Sequence, residues 1–273
     1  HWCIHCQTAL AEAEVDYAPH NSPSIYVEFK MAKESIEELA AKQKALGERP
    51  VSALIWTTTP WTIPSNMAIA FHPDLDYGFY SADGGDSPTI VVVADAIAER
   101  IETEIGRHLG DRLAVVKGAE LEGLRFKHPL YDRVSVGVLG NYVTLEQGTG
   151  VVHTAPGHGA DDFNTGVKYG LETYAPVGPN GQFDSTVETF SGMRVFDANP
   201  KIEEALADAG RLWHRAQLEH SYPHCWRCRH PVIFLATWQW FIAMEAAGLR
   251  QGALNAIKEV QWFPPWGQER IHN

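Results

Sequence analysis

All four cysteines of this chain fall in two Cys-x-x-Cys pairs, Cys3/Cys6 and Cys225/Cys228, one near each end of 273 residues. Two such knuckles can supply four thiolates to one tetrahedral Zn2+, a closed donor set with no position left for substrate, so the metal would be structural. If both pairs serve one ion, the fold must bring residue 3 and residue 225 together, with everything between them inserted into the halves of the site. Two redox motifs or two disulfides are the other readings of the same spacing. A disulfide framework suits small secreted domains, whereas this chain is long and opens on His1-Trp2-Cys3 without the basic segment and apolar run of a signal peptide. His5, His224 and His230 flank the cysteines as substitute ligands.

The 45% hydrophobic content provides for a sizeable core, and no run of eighteen apolar residues suggests a membrane span. A formal charge of -12 argues against a free-standing nucleic-acid binder, which needs clustered Lys and Arg. The balance is uneven: from Arg211 onward basic residues outnumber acidic ones, so any contact with a nucleic-acid backbone is expected there. The opening residues and the helix-like close over Trp266 to Asn273 suggest a piece of a longer protein.

Strands are expected at 24–29, 51–59, 89–94, 134–139, 142–145 and 150–154. Between the first two, Ile36, Leu39, Ala40 and Leu46 fall at helical spacing, with Gly47 as the stop. Ile97, Ile101 and Ile105 mark a second helix, and Asn199-Pro200 reads as a helix start closed at Gly210. Many short strands at irregular spacing favour an α+β, β-rich fold with a mixed sheet or barrel over a doubly wound one. Domain boundaries are expected as a metal-binding stalk at 1–20 and 212–240, a core at 21–211, and a connecting segment at 241–273.

Two segments carry chemistry. In Trp56-Thr-Thr-Thr-Pro-Trp-Thr-Ile-Pro-Ser-Asn66, the first half is explained by a β-branched strand ended at Pro60. The density of polar groups on Thr57, Thr58, Thr59, Thr62, Ser65 and Asn66 is not, and such a wall suits a ribose or a reacting water. Period-two alternation places Thr57 and Thr59 on one face and Thr58 on the other. The second segment, Gly148-Thr-Gly-Val-Val-His153-Thr-Ala-Pro-Gly-His158-Gly-Ala-Asp161-Asp162-Phe163, reads strand, glycine-rich loop, helix start. Asp161 and Asp162 would lie in the first helical turn, where the helix dipole favours a carboxylate able to grip an ammonium group; one of them is equally explained as a cap. His153 is a core histidine or a pocket residue, and a catalytic metal on His153, His158 and Asp161 or Asp162 is a further alternative. No Gly-x-Ser-x-Gly elbow and no phosphate-binding Gly-Lys-Ser/Thr loop occurs.

Together, the threonine segment, the His-Asp segment, and the cysteine arms His1-Trp-Cys-Ile-His-Cys6 and Ser221-Tyr-Pro-His-Cys-Trp-Arg-Cys228 resemble the inserted editing domain (connective peptide 1, CP1) of isoleucyl-tRNA synthetase, a class I aminoacyl-tRNA synthetase. The resemblance covers essentially the whole chain. Valyl and leucyl relatives have Thr-Thr-Arg-Pro-type sequences at the threonine strand, where this chain has Pro60-Trp61. It implies a partly closed β-barrel core with surrounding helices on a zinc-knuckle stalk, held by one structural Zn2+ on Cys3, Cys6, Cys225 and Cys228. It also implies hydrolysis of valine mischarged on tRNA(Ile), needed because one methylene distinguishes isoleucine from valine by only about 1–3 kcal/mol, a property of these enzymes already known. By the same resemblance Asp162 holds the α-ammonium and His153 lines the side-chain pocket. Thr57, Thr58, Thr59, Thr62 and Asn66 form the wall for the terminal adenosine and the water, and Trp61 shapes the pocket. No cofactor is implied for hydrolysis; ATP and Mg2+ belong to a parent ligase site whose His-x-Gly-His and Lys-Met-Ser-Lys-Ser motifs are absent here. The implied setting is a cytoplasmic monomer, with the rest of the synthetase in cis and the tRNA acceptor end as partner.

Overall fold

A computed structural model describes residues 1–82 and 89–272; the last residue of the expected C-terminal helix, Asn273, lies outside them. The chain divides into two units, His1–Ala236 and Thr237–Asn273. In the first unit the strands are β1 (Trp2–Cys3), β2 (Thr8–Ala9), β3 (Val15–Lys30), β4 (Val51–Thr57), β5 (Ala68–Phe71), β6 (Asp76–Ala82), β7 (Thr89–Ala94), β8 (Arg112–Lys117), β9 (Arg125–Lys127), β10 (Val134–Leu139), β11 (Val151–Thr154) and β12 (Leu212–Cys225). Its helices are α1 (Lys33–Lys42), α2 (Ala98–Ile105), α3 (Ala160–Tyr169) and α4 (Val195–Asp208). The second unit contains α5 (Leu249–Glu259) and α6 (Gly267–His272).

Six strands form one mixed sheet in the order β12-β3-β4-β7-β6-β8, and four form another in the order β11-β5-β10-β9. β4 pairs with β7 in parallel and β5 with β10 in parallel; the other neighbours are antiparallel. A bridge between Met31 and Phe126 joins the two sheets at one edge, so closure is partial. Period-two alternation assigns the faces of the large sheet. Ile25, Val27, Phe29, Ala53, Ile55 and Val92 enter the main core with Ile69, Phe71 and Phe126 of the small sheet. Tyr26, Leu54, Val91 and Val93 turn the other way and are covered by Ile101 and Ile105 of α2, each worth about 1.5–3 kcal/mol of burial.

Several elements differ from their sequence pattern. β3 begins at Val15 because its first half pairs with β12 as a two-stranded ribbon, from Cys225 opposite Val15 onward. Pro19 and Pro23 are tolerated where β3 has β12 on one side only, since a missing N–H there breaks no second ladder. α1 ends at Lys42; Leu46 is buried in the turn that follows, with Gly47 at φ +59°. Residues 142–145 form no strand, because Val143 N–H bonds Gly140 O in a turn. The expected start at Asn199-Pro200 lies inside α4, which opens at Val195, and the Asn199 side chain is used elsewhere.

Candidate functional site and cysteine cluster

β12 carries Cys225 back beside Val15, and Trp2 exchanges both backbone hydrogen bonds with Ile233 (2.8 and 2.9 Å). The four sulfur atoms thereby lie within 4.8 Å of one another. Four thiolates at the usual Zn–S length stand roughly 3.8 Å apart in a tetrahedron, so the cluster can hold a metal ion of that kind. Cys3 and Cys225 are buried, Cys6 and Cys228 partly exposed. Burial pushes the Cys3 thiol up, a cost that a bound dication would reverse by stabilising the thiolate. Burial also acts to raise Cys225, but backbone N–H groups of Cys228 and Arg227 outweigh it and bring that thiol down. Among the described residues no other group of three or more His, Cys, Asp or Glu brings its ligand atoms together, so His153, His158, Asp161 and Asp162 are not arranged as a metal site.

The threonine segment leaves β4 at Thr57 and winds into a 3-10 turn over Pro60–Ser65, with Pro60 at its first position. Its hydroxyls form a row. Thr57 Oγ1 accepts the Thr59 N–H at 3.1 Å and lies 3.1 Å from Thr59 Oγ1, which is 3.5 Å from Thr62 Oγ1. β4 ends at Thr57, short of the expected residue 59, so Thr57 and Thr59 meet through a turn and not by strand alternation, and Thr58 takes no part in the row.

The next partner is His153, on β11 opposite Ile69 of β5. Its Nε2 is 2.8 Å from Thr62 Oγ1, and its Nδ1 is 3.2 Å from the Asn66 amide nitrogen. That amide also donates to Ala68 O at 2.8 Å, while its oxygen accepts the Ser135 hydroxyl. The network assigns the tautomer: Asn66 donates to Nδ1, so the ring proton is on Nε2 and is given to Thr62 Oγ1, whose own proton goes to Thr59 O at 2.9 Å. Burial, helped by the nearby His158, brings the His153 pKa down to about 4. At neutral pH His153 is an uncharged orienting group for Thr62.

Asp162 stands just beyond the C-terminal end of β11, in the first turn of α3. Its Oδ2 accepts the Ala155 N–H at 2.9 Å. Asp162 is half-buried and Asp161 exposed. Burial raises the Asp162 carboxyl to about 6 against the lowering effect of that hydrogen bond, so the expectation that the helix start alone holds it ionised is incomplete. It remains mostly anionic at pH 7, and among the described residues its hydrogen bond goes to Ala155 and not to the threonine row or His153.

Four groups that no motif announced fix the 3-10 turn from outside. Asn199 of α4 accepts the Trp61 N–H at 2.9 Å. His128 donates from Nε2 to Ile63 O at 2.8 Å, while its Nδ1 accepts from the N–H groups of Leu130 and Tyr131. Arg133 donates to Pro64 O, and Ser135 holds Asn66. None has a local sequence signal for this role, Asn199 having read as a helix cap; each is supplied by a strand, loop or helix distant in the chain.

The whole chain, residues 1–273, matches the family model described as tRNA synthetases class I (I, L, M and V). It is 51% identical over its full length to an isoleucine--tRNA ligase of Nitratidesulfovibrio vulgaris and 48% identical to one of Geobacter sulfurreducens, spanning 28% of the length of each. Among solved structures it is similar to GlLeuRS-CP1 (TM-score 0.54, 16% identity, 69% of this chain and 97% of that one). It is also similar to the P. knowlesi cytosolic leucyl-tRNA synthetase editing domain (TM-score 0.53, 12% identity, 72% of this chain and 98% of that one). At those identities the likeness establishes the fold. The chain belongs to the class I tRNA synthetase family and has the fold of its CP1 editing domain.

Proposed function

We propose that this chain is the editing domain of an isoleucyl-tRNA synthetase and hydrolyses valine mischarged on tRNA(Ile). The observation that carries the reading is the meeting of two charge states at the C-terminal end of β11: a neutral His153 locked to the threonine turn, and an anionic Asp162 held on the N–H of Ala155, two residues further on. Asp162 would take the α-ammonium of the aminoacyl ester. The hydroxyl row of Thr57, Thr59 and Thr62 would position the attacking water, with Asn66 and His153 fixing Thr62 and Trp61 bounding the side-chain pocket. Thr58 would meet the terminal adenosine. The ester is already activated, so placing water and polarising the carbonyl supplies the rate without a strong base.

Cys3, Cys6, Cys225 and Cys228 would hold one Zn2+, a closed shell that ties the two arms and gives no chemistry to hydrolysis. Isoleucine activation with ATP and Mg2+ would reside in the rest of the synthetase, present in cis, in a cytoplasmic and monomeric enzyme. Among the described residues no helix is long and apolar enough to cross a membrane. The test is deacylation of Val-tRNA(Ile) and Ile-tRNA(Ile) by the 273-residue chain. Selective release of valine is expected; equal release of both would remove the sieve, and release of neither would leave an RNA-docking module.

A further inference from the structure

His158 is used by neither the metal cluster nor the threonine network, yet it is 7% exposed and its surroundings are specific. Its Nδ1 is 3.1 Å from Phe234 O, and a carbonyl only accepts, so the ring proton is on Nδ1. Burial keeps the ring neutral at pH 7. Nε2 is then a bare acceptor, buried and without a partner. The Trp61 ring packs edge to face against the His158 ring, centroids 4.8 Å apart, and the indole N–H of Trp61, which is 2% exposed, is likewise buried and unpartnered. An unsatisfied donor and an unsatisfied acceptor on touching rings are costly unless something completes them.

The bond that fixes His158 comes from the cysteine arms. Phe234 follows Ile233, which is paired with Trp2, and Val232 N–H bonds Pro223 O at 3.1 Å beside Cys225. Two residues beyond Phe234, Ala236 N–H bonds Gly157 O at 2.8 Å. The segment returning from the second knuckle thus grips the His-Asp loop at Gly157 and His158 and dictates which ring nitrogen of His158 is free.

We infer that His158 is a further binding residue of the editing site, one that accepts an O–H on Nε2 beside the Trp61 N–H donor. A hydroxyl or a water satisfies both groups, because it donates and accepts; an ammonium could satisfy only His158. The oxygen belongs either to the hydrolytic water or to a hydroxyl of the terminal ribose. This assignment rests on the deacylase reading above.

Two substitutions separate binding from scaffolding. His158→Asn keeps a donor within reach of Phe234 O and loses the distal acceptor, whereas His158→Gln extends its amide oxygen to the place of Nε2. Val-tRNA(Ile) deacylation by the 273-residue chain should fall about tenfold or more in His158→Asn and be largely recovered in His158→Gln. Affinity for a non-hydrolysable valyl-adenosine amide should follow the same order if the oxygen is a ribose hydroxyl, and stay unchanged if it is the water. Substrates ending in 2′- or 3′-deoxyadenosine provide the second arm: for a ribose hydroxyl, one deoxy substitution and His158→Asn together cost no more than either alone; for water they multiply. Wild-type rates in His158→Asn with loss in His158→Gln would make His158 a scaffold and overturn the assignment. Failure of the wild-type chain to hydrolyse or bind either probe would sink the deacylase reading, and this one with it.

Discussion

The cysteine cluster and the threonine-histidine network are built in opposite ways. At the cluster, each half is a four-residue knuckle whose donors are set by local spacing, and the fold contributes one operation, the β3–β12 ribbon that brings Cys225 opposite Val15. At the network, the threonine row is local, but the contacts that hold it come from far along the chain. Thr62 meets His153 across 91 residues, Asn66 meets Ser135 across 69, and Trp61 meets Asn199 across 138. Metal sites of this kind tolerate change between their knuckles and none at their donors, whereas the network should lose function by small shifts in any of the elements that meet there.

That contrast makes its largest prediction at the cluster. Cys225→Ser, or stripping the metal with a chelator, should abolish stoichiometric zinc and lower the thermal midpoint by more than about 10 °C, given the many kcal/mol tied up in a four-thiolate site. Metal analysis and thermal denaturation check it; an unchanged midpoint would dissolve the staple.

The next effect separates chemistry from stability. Asp162→Ala should reduce Val-tRNA(Ile) hydrolysis by about a hundredfold or more, the cost of losing a charge-assisted contact, with the thermal midpoint within a few degrees of wild type. His153→Ala should do both kinds of damage. Taking one hydrogen-bond partner each from Asn66 and Thr62 in the core should cost about 1–3 kcal/mol of stability by chemical denaturation, and release of the turn should also blur discrimination between valine and isoleucine esters.

Acid should act on the network in two ways. His153 and His158 have folded pKa values of about 4, below the unfolded value near 6.5. The unfolded chain therefore binds more protons as pH falls from 6.5 towards 4, and each ring should cost about 2 kcal/mol of stability by pH 5. Asp162 runs in the other sense, because its folded pKa of about 6 is raised above its ordinary value. Its protonation in acid does not destabilise the fold but removes the anion, so kcat/KM for Val-tRNA(Ile) should fall as pH drops through about 6 while the protein is still folded. The smallest effect belongs to Thr58, outside the hydroxyl row: Thr58→Ala should change the rate less than Thr57→Ala or Thr62→Ala does, measured side by side.

The same contrast explains what was legible in the sequence. Two knuckles, a β-branched strand before Pro60 and a carboxylate pair after a glycine-rich loop are local patterns, and each lies where spacing and alternation placed it. What could not be read were groups whose role depends on tertiary register. Asn199 looked like a helix cap because Pro200 followed it, yet α4 absorbs Pro200 in its interior and spends the Asn199 oxygen on Trp61. His128 and Arg133 hold the turn's carbonyls from a loop with no motif. The state of Asp162 was half legible: the helix start was visible, the burial that raises its carboxyl was not.

The most direct test of the account measures valine and isoleucine release at pH 7.5 from the two tRNA(Ile) esters, by the wild-type chain and by Asp162→Asn. Asparagine keeps the size and an acceptor for the Ala155 N–H and removes only the charge. The account predicts rapid, valine-selective hydrolysis by the wild type and its near-complete loss in the variant, with zinc content unchanged. Full valine hydrolysis by Asp162→Asn would contradict it, because the site would then work without the anion on which the reading turns.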